Sequence, residues 1–557
     1  SRPRPGSSRR AALGALATAA VAAPAAAWWW MHRASPAAPP RSVAVMPFAN
    51  VSGDPDNDYL ATGIPRALTT RLQRAGFRVI PWETSSRFRD STNPLEVART
   101  LNVSAVLSGS FQSGRGQVVV NVSLIDGATG FLSWSDEFEQ RDDLFEVQTQ
   151  IARGVANALG HSLTADAAAT LARPESSSKD AYDFYLQGAA YLNDGDREST
   201  DLAFDYFSKA VTIDANLVEA HVGLGAVYLE RYWSGWGGGA GNLALAAQQF
   251  DVALGRDAMN MRARRGQMLI EFYRGRGEAA LRLAQEAAKI GGDDIETLLA
   301  RGEAYAINGP SDFALPLLER VRALDPGNQA AAGLQTIALQ RTGRFMESAS
   351  AADDYNRRFG DDSFMAIIGA SALERQGDIA RARGRLDRVL EPLMGTVEPN
   401  TATAYDLAVL VGAGTFDELG GQRERAQTYW QRGLQLTHEA LEIASDSIGT
   451  RVLFCTFLGY TGDLRTFARE VSSTEAILEA TDLNPWELSY LAGAYAHLGD
   501  TDGALTVLRN QLRRGRCISR PWMTTFAPSL RSAPGLLELF REHDAEEERR
   551  RRRYRAS

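Results

Sequence analysis

The chain has 557 residues, and because single hydrophobic cores stop growing at roughly 250 to 300 residues, at least two structural units are expected. Its 44% hydrophobic and 23% charged content excludes a mainly disordered chain and a polytopic membrane protein. The net charge of -8 argues against nucleic acid as a partner, and the two cysteines, Cys455 and Cys517, form neither a disulfide framework nor a zinc motif.

The chain begins with a basic segment, residues 1–10, followed by an uncharged one, residues 11–31. The uncharged segment has about the length that crosses a bilayer as a helix. It ends in three tryptophans of the kind found at membrane interfaces, Trp28, Trp29 and Trp30. Because more arginines precede it than follow it closely, we predict a single transmembrane helix with a cytoplasmic N-terminus. A cleaved signal peptide and a soluble alanine-rich segment are the alternatives.

A small α/β domain with a mixed sheet is predicted for residues 42–172, after a Pro/Ala linker at 32–41. Short valine-rich runs bounded by turn residues predict strands, and apolar residues at helical spacing predict helices. The strands are expected at 42–48, 77–82, 103–111, 118–125 and 131–138, and the helices at 59–75, 94–101 and 144–159.

Three stretches of this domain carry a family resemblance: SVAVMPFANVSGDPDNDYLATGI, VSAVLSGSFQSGRGQVVVNVSLIDGATGFLSWSDEFEQ and DLFEVQTQIARGVANAL. They resemble the TolB-like N-terminal domain of bacterial signalling proteins, over nearly all of residues 42–160. The resemblance implies a non-catalytic module, followed by helical repeats and often preceded by a DNA-binding, cyclase or kinase effector. With the predicted anchor, it implies a single-pass protein of the bacterial cytoplasmic membrane whose bulk is periplasmic.

Residues 180–515 repeat with the spacing of tetratricopeptide (TPR) units. The clearest unit opens at Ile295 and carries the typical small and apolar residues at Leu298, Gly302, Tyr305, Ala314, Leu318, Val321 and Pro326. Stacked helix pairs of this kind predict an all-α superhelix of about eight units with a concave groove. Residues 516–543 are predicted to cap the array. Residues 544–557 are expected to be a solvated or disordered charged tail, with binding to an anionic partner as the alternative.

An insertion at residues 230–242 places Trp233 and Trp236 among glycines. These tryptophans either tuck back over the array or contact a partner, since aromatic anchors often dominate interfaces.

No motif for catalysis or metal binding is found. The six histidines are scattered, and the metalloprotease, nucleophile-elbow and phosphate-loop patterns do not occur. We therefore predict no catalytic, cofactor-binding or metal-binding residue, and no enzyme activity.

These expectations favour a membrane-anchored module for protein–protein interaction or assembly, with its protein partner in the concave groove. Two alternatives remain. The chain could be the sensory half of a signalling protein whose effector lies upstream or in another chain, or an accessory subunit of a larger membrane complex.

Overall fold

The computed structural model describes residues 42–555, apart from residues 90, 92, 115–116, 141–143, 161–163, 193–195, 235, 237–238, 400, 444, 446, 479–484 and 514–524. The predicted anchor at residues 11–31, with Trp28, Trp29 and Trp30, lies outside the described residues.

The predicted membrane anchor and the localisation based on it need correction. Among the described residues, no helix is both long enough and apolar enough to cross a membrane. The fold is mostly helical, with a small mixed sheet and no membrane-spanning helix in the described part of the chain.

A mixed sheet forms near the start of the chain, as predicted. Its strands are β1 (Ser42–Val45), β2 (Ala49–Asn50), β3 (Arg78–Val79), β4 (Ala105–Gly114), β5 (Gln117–Asp126) and β6 (Leu132–Gln140). They lie in the order β3, β1, β4, β5, β6, and β2 also pairs with β4. β1 is parallel to β3 and β4, whereas β4, β5 and β6 are antiparallel.

Helices cover the sheet on both faces at β1. Successive residues of a strand point to opposite faces. Accordingly, Val43 and Val45 belong to the core under α1 (Leu60–Arg74) and α4 (Leu144–Ala158), and Ala44 belongs to the core under α3 (Pro94–Leu101). Two short helices, α2 (Trp82–Ser85) and α5 (Ala165–Ala172), complete this part of the chain.

Nine antiparallel helix pairs follow in the described residues. In chain order they are α6 (Lys179–Tyr191) with α7 (Arg197–Ile213), α8 (Val218–Ser234) with α9 (Gly239–Arg256), α10 (Met261–Tyr273) with α11 (Gly277–Gly291), α12 (Ile295–Asn308) with α13 (Ala314–Leu324), α14 (Gln329–Arg341) with α15 (Phe345–Phe359), α16 (Ser363–Glu374) with α17 (Ile379–Arg385) and α18 (Asp387–Gly395), α19 (Ala404–Leu419) with α20 (Arg423–Ile443), α21 (Ile448–Thr461) with α22 (Leu464–Leu478), and α23 (Pro485–His497) with α24 (Thr501–Arg513). They form the TPR-like superhelix that the repeat spacing predicts.

The repeat pattern has a direct packing explanation. The ring of Phe250 in α9 lies between Gly225 of α8 and Gly266 of α10. A Cβ added at either glycine would stand 2.5 or 2.4 Å from a ring carbon. Glycine at these positions lets neighbouring helices approach until the aromatic ring fills the space between them.

The sheet and the first repeats share one hydrophobic core. α1 is buried against the sheet on one side and against α6 on the other, where a Cβ added at Gly63 would lie 3.1 Å from the Cβ of Leu186, a tight contact. The polar stretch around residues 174–179 therefore does not separate two independent cores.

The last helix, α25 (Pro534–Tyr554), includes most of the predicted charged tail. Its charges pair within the helix, since Arg549 lies 2.5 Å from Glu546 and Arg552 lies 3.2 Å from Glu548. Pairs at this spacing stabilise a helix, which explains why a run of charged residues is ordered here.

Candidate functional site at the sheet–array interface and inside the array

The sheet part contacts the array along an interface made by α1 and residues 82–88. Arg74 of α1 lies 2.6 Å from Glu219 at the start of α8, and Arg66 donates to the carbonyl oxygen of Ala189 in α6 at 2.8 Å. Farther along, Thr84 donates to Asp325 at 2.8 Å, just before α14. The interface therefore extends from the first helix pair to the fifth.

A cavity of about 1300 Å³ lies in this interface, between α1 and the first residues of α8, α10 and α12. Eight arginines and seven carboxylates line it. Several of them face each other at salt-bridge distance, such as Arg71 and Glu175 at 3.7 Å and Arg262 and Glu83 at 3.9 Å. Since the two signs nearly balance, the lining presents little excess charge to a ligand.

Burial and charge act in opposite directions on these carboxyls. Burial raises the pKa of Glu175 above its usual value, and Arg71 and Arg74 offset this only in part. For Glu83, burial also acts to raise the pKa, but Arg262 and Arg66 together hold it below its usual value.

Of the two insertion tryptophans, Trp233 lies against the array. The Trp233 ring is 5.4 Å from the ring of Tyr273 and 5.5 Å from that of Tyr405, and Tyr405 in turn contacts Phe364 at 4.4 Å. Trp233 belongs to the second helix pair and Tyr405 to the seventh, so the array curves until these pairs touch. Trp236 is half-buried.

The inner surface of the later pairs is covered by the chain itself. Phe526 packs edge to face on Tyr490 at 5.0 Å, and its carbonyl oxygen accepts a hydrogen bond from Tyr460 at 2.7 Å. Nearby, Thr525 donates to the buried carboxylate of Glu374, which also pairs with Arg531. These partners lie on α16, α21 and α23, each the first helix of its pair.

The helix α25 then crosses from the last pair back to the middle of the array. Its first half packs Leu536, Leu539 and Phe540 on α24. Since a helix of 21 residues is about 30 Å long, its other end reaches the third and fourth pairs. There, Arg550 donates to the carbonyl oxygen of Asn308 at 2.7 Å.

The last turn of α25 adds further contacts to the same pairs. Tyr554 donates to Glu278 at 2.6 Å, Arg553 pairs with Glu278 at 3.0 Å, and Arg551 pairs with Asp312 at 3.0 Å. Burial, followed by the hydrogen bond to Glu278 and its charge, raises the pKa of Tyr554 to about 12. The phenol therefore stays a hydrogen-bond donor throughout the neutral pH range.

The described residues contain no group of three or more His, Cys, Asp or Glu side chains that could hold a metal ion. Among the described histidines, His221 hydrogen-bonds Gln249 at 2.7 Å and a backbone carbonyl at 3.0 Å.

Sequence reasoning missed two features of this site. The role of the α1 arginines in the interface could not be predicted, because arginines on one face of a helix usually indicate that this face is exposed to solvent. The filled inner surface did leave a signal. The stretches Met365–Glu374, Leu407–Asp417 and Val452–Tyr460 are buried without interruption. Their largely apolar sequences predict helices covered on all sides, which an open groove would not provide.

The fold and this site define a TPR-like repeat protein with an N-terminal mixed sheet. Residues 40–154 match the family model for the second domain of HilA/YgeH-like transcriptional regulators. The comparisons do not confirm the TolB-like resemblance of the same segment.

One curated relative carries the name "Putative adenylate cyclase 3", from Rhizobium meliloti (strain 1021). It is 32% identical over 209 residues, which cover 36% of this chain and 35% of the relative. The chain thus spans about a third of the length of the curated relative that it matches.

Solved structures with similar helices include a tetratricopeptide repeat protein from Parabacteroides merdae, with a TM-score of 0.34, 15% identity, and coverage of 50% of this chain and 98% of that one. A second is the TPR protein TTC0263 from Thermus thermophilus, with a TM-score of 0.30, 19% identity, and coverage of 35% and 98%. The assignment of the array as TPR-like rests on the helix pairs described above.

Proposed function

We propose that this chain is a non-catalytic protein-interaction module that regulates an effector. One observation carries the proposal: the array binds a helix of its own chain through buried aromatic and arginine side chains, Tyr554 and Arg550. Such side chains commonly dominate the free energy of protein–protein interfaces.

The effector side of the proposal is that the chain is the sensory half of a signalling protein. In this proposal, residues 42–172 are a TolB-like regulatory domain and residues 180–515 are the interaction array. Two comparisons support it. The matching family model describes a domain of transcriptional regulators, and the curated relative is named as a putative adenylate cyclase. The effector would act from another part of the protein or from another chain.

The partner would be a protein that contacts the array at the insertion, since residues 525 and 526 already cover the inner side of the later pairs. Trp236 is the better candidate for a direct contact, because Trp233 already packs against Tyr273 and Tyr405. No cofactor, metal ion or nucleic acid is part of the proposal.

Site-specific photocrosslinking in the native bacterium tests this proposal. A photoreactive residue in place of Trp236 is expected to crosslink one defined protein. The same residue in place of Phe131, which is 76% exposed in the sheet hairpin, is the control and should not capture that protein. Equal capture at both positions would argue against a binding surface on the array. Conversion of ATP to cyclic AMP by the purified chain would refute the non-catalytic assignment.

A further inference from the structure

We propose that the end of α25 acts as an intramolecular ligand of the array. The surface of the array that it covers would also be a docking surface for a partner helix of the same chemistry. The docking surface consists of Glu278, Tyr305, Asn308 and Asp312. The partner helix would carry arginines and an aromatic residue four positions after one of them, as Arg550 and Tyr554 do. This inference rests on the proposed function and names the kind of partner.

The two buried side chains at the end of α25 lie on one face of the helix. Arg550 is 5% exposed and Tyr554 is 6% exposed, and residues four apart are neighbours on a helix surface. Arg550 bonds the carbonyl oxygen of Asn308, while the Tyr554 ring packs on Tyr305 at 6.4 Å and its hydroxyl bonds Glu278. The docking surface therefore recognises one cation and one aromatic ring at a fixed separation.

Charge complementarity extends the match beyond these two anchors. Glu278 and Asp312 each face a further arginine, Arg553 and Arg551, at 3.0 Å. These arginines are partly exposed, so each adds little affinity but favours a basic partner over an acidic one.

The two halves of α25 are attached in different ways. The first half is fixed by apolar packing of Leu536, Leu539 and Phe540 on α24. The second half is held largely by polar and ionic contacts, which exchange more readily for equivalent contacts from another helix. Its internal pairs, Arg549 with Glu546 and Arg552 with Glu548, each favour the helical state by only about 0.2–0.5 kcal/mol, and they do so whether or not the docking surface is occupied. The end of α25 can therefore detach from the docking surface while its beginning stays packed on α24.

A labelled peptide of residues 543–555 tests the docking surface on the full chain. The wild-type chain is expected to bind it weakly, because its own helix occupies the surface. The double variant Arg550→Ala/Tyr554→Ala should bind it at least tenfold more tightly, since both anchors of the resident helix are gone. Arg552→Ala is the matched control: Arg552 pairs with Glu548 inside the helix and is 79% exposed, so this variant should behave as wild type.

Milder variants keep the test decisive if the double variant is unstable. Arg553→Ala alters an arginine that is 64% exposed and should raise peptide affinity about two- to fivefold, the range of an exposed ion pair. Adding Glu278→Arg to the double variant should abolish peptide binding. Equal affinity for wild type and both weakened variants would overturn the proposal, as would equal binding of a peptide whose arginines are replaced by glutamate.

The outcomes separate this inference from the proposed function. If the variants accept the peptide but crosslinking finds no protein partner, the docking surface stands and the proposed function fails. If crosslinking finds a partner but the variants do not bind the peptide, the proposed function is supported and the docking-surface inference is wrong.

Discussion

At the scale of single residues, the helix spacing in the array depends on positions without a side chain. The substitution Gly225→Ala is predicted to destabilise the array, because the added Cβ would stand 2.5 Å from the Phe250 ring. Although alanine is the better helix former, overpacking of this kind typically costs about 1–3 kcal/mol. Gly225→Ala should therefore lower the free energy of unfolding in urea. Gly255→Ala, where nothing lies within 4 Å, is the control and should be neutral or stabilising by about 0.5–1 kcal/mol.

Asp214 gives a pH-dependent prediction at the same scale. Burial would raise its pKa, but hydrogen bonds from Ser176 and Ser177 hold the pKa below its usual value. A lowered pKa in the folded state contributes stability that is present above the unfolded pKa, about 3.9, and is lost as the pH falls through the folded value.

Asp214→Asn should therefore cost about 1–3 kcal/mol of unfolding free energy at neutral pH, because bonds to the carboxylate are lost. The difference from wild type should shrink once the pH falls below about 4. Urea unfolding at pH 7 and pH 3.5 measures both values. A difference that grows toward acid pH would contradict this account of the Ser176 and Ser177 contacts.

At the scale of elements, α1 belongs to the sheet layer and to the array interface at once. Its Arg74 faces Glu219, whose side chain is only 4% exposed. Arg74→Ala would leave that carboxylate with weaker compensation from Asn260 and Arg262, at a cost of about 1–3 kcal/mol. Thermal melting should show one cooperative transition shifted down. Arg153→Ala, at an exposed position on α4, should leave the melting temperature unchanged.

Individual elements were largely predictable, because they depend on local pattern. The antiparallel strands and the helices at 59–75 and 144–159 agree with the structure within a few residues. The short elements were missed: α2 and β2 have four and two residues, too few to show a periodicity. It was not predictable either that Arg66 and Arg74 lie in an interface, since this depends on which element packs against α1.

At the scale of the whole molecule, the Trp233 contact joins helix pairs that are far apart in sequence. Trp233→Ala would remove the ring between Tyr273 and Tyr405 and should cost about 1–3 kcal/mol, reduced from a core value because Trp233 is half-buried. The array should also open slightly, which small-angle scattering would record as a larger radius of gyration. Phe131→Ala, at an exposed aromatic, is the control. Unchanged stability and shape, together with loss of a crosslinked partner, would assign Trp233 to partner binding instead.

Local patterns along the chain specify the repeat architecture, the mixed sheet and their order. Each depends on spacing within a few residues, or on small residues such as Gly302 at fixed positions of a repeating unit. What occupies the inside of the array, and which residues pair with the charges of α1 and α25, depend instead on long-range packing. The pairs Arg74 with Glu219 and Tyr554 with Glu278 join residues 145 and 276 positions apart, and no local pattern encodes such contacts. The first pair forms because α1 packs on the first helix pairs, and the second forms because α25 runs from the last pair back to the third and fourth pairs.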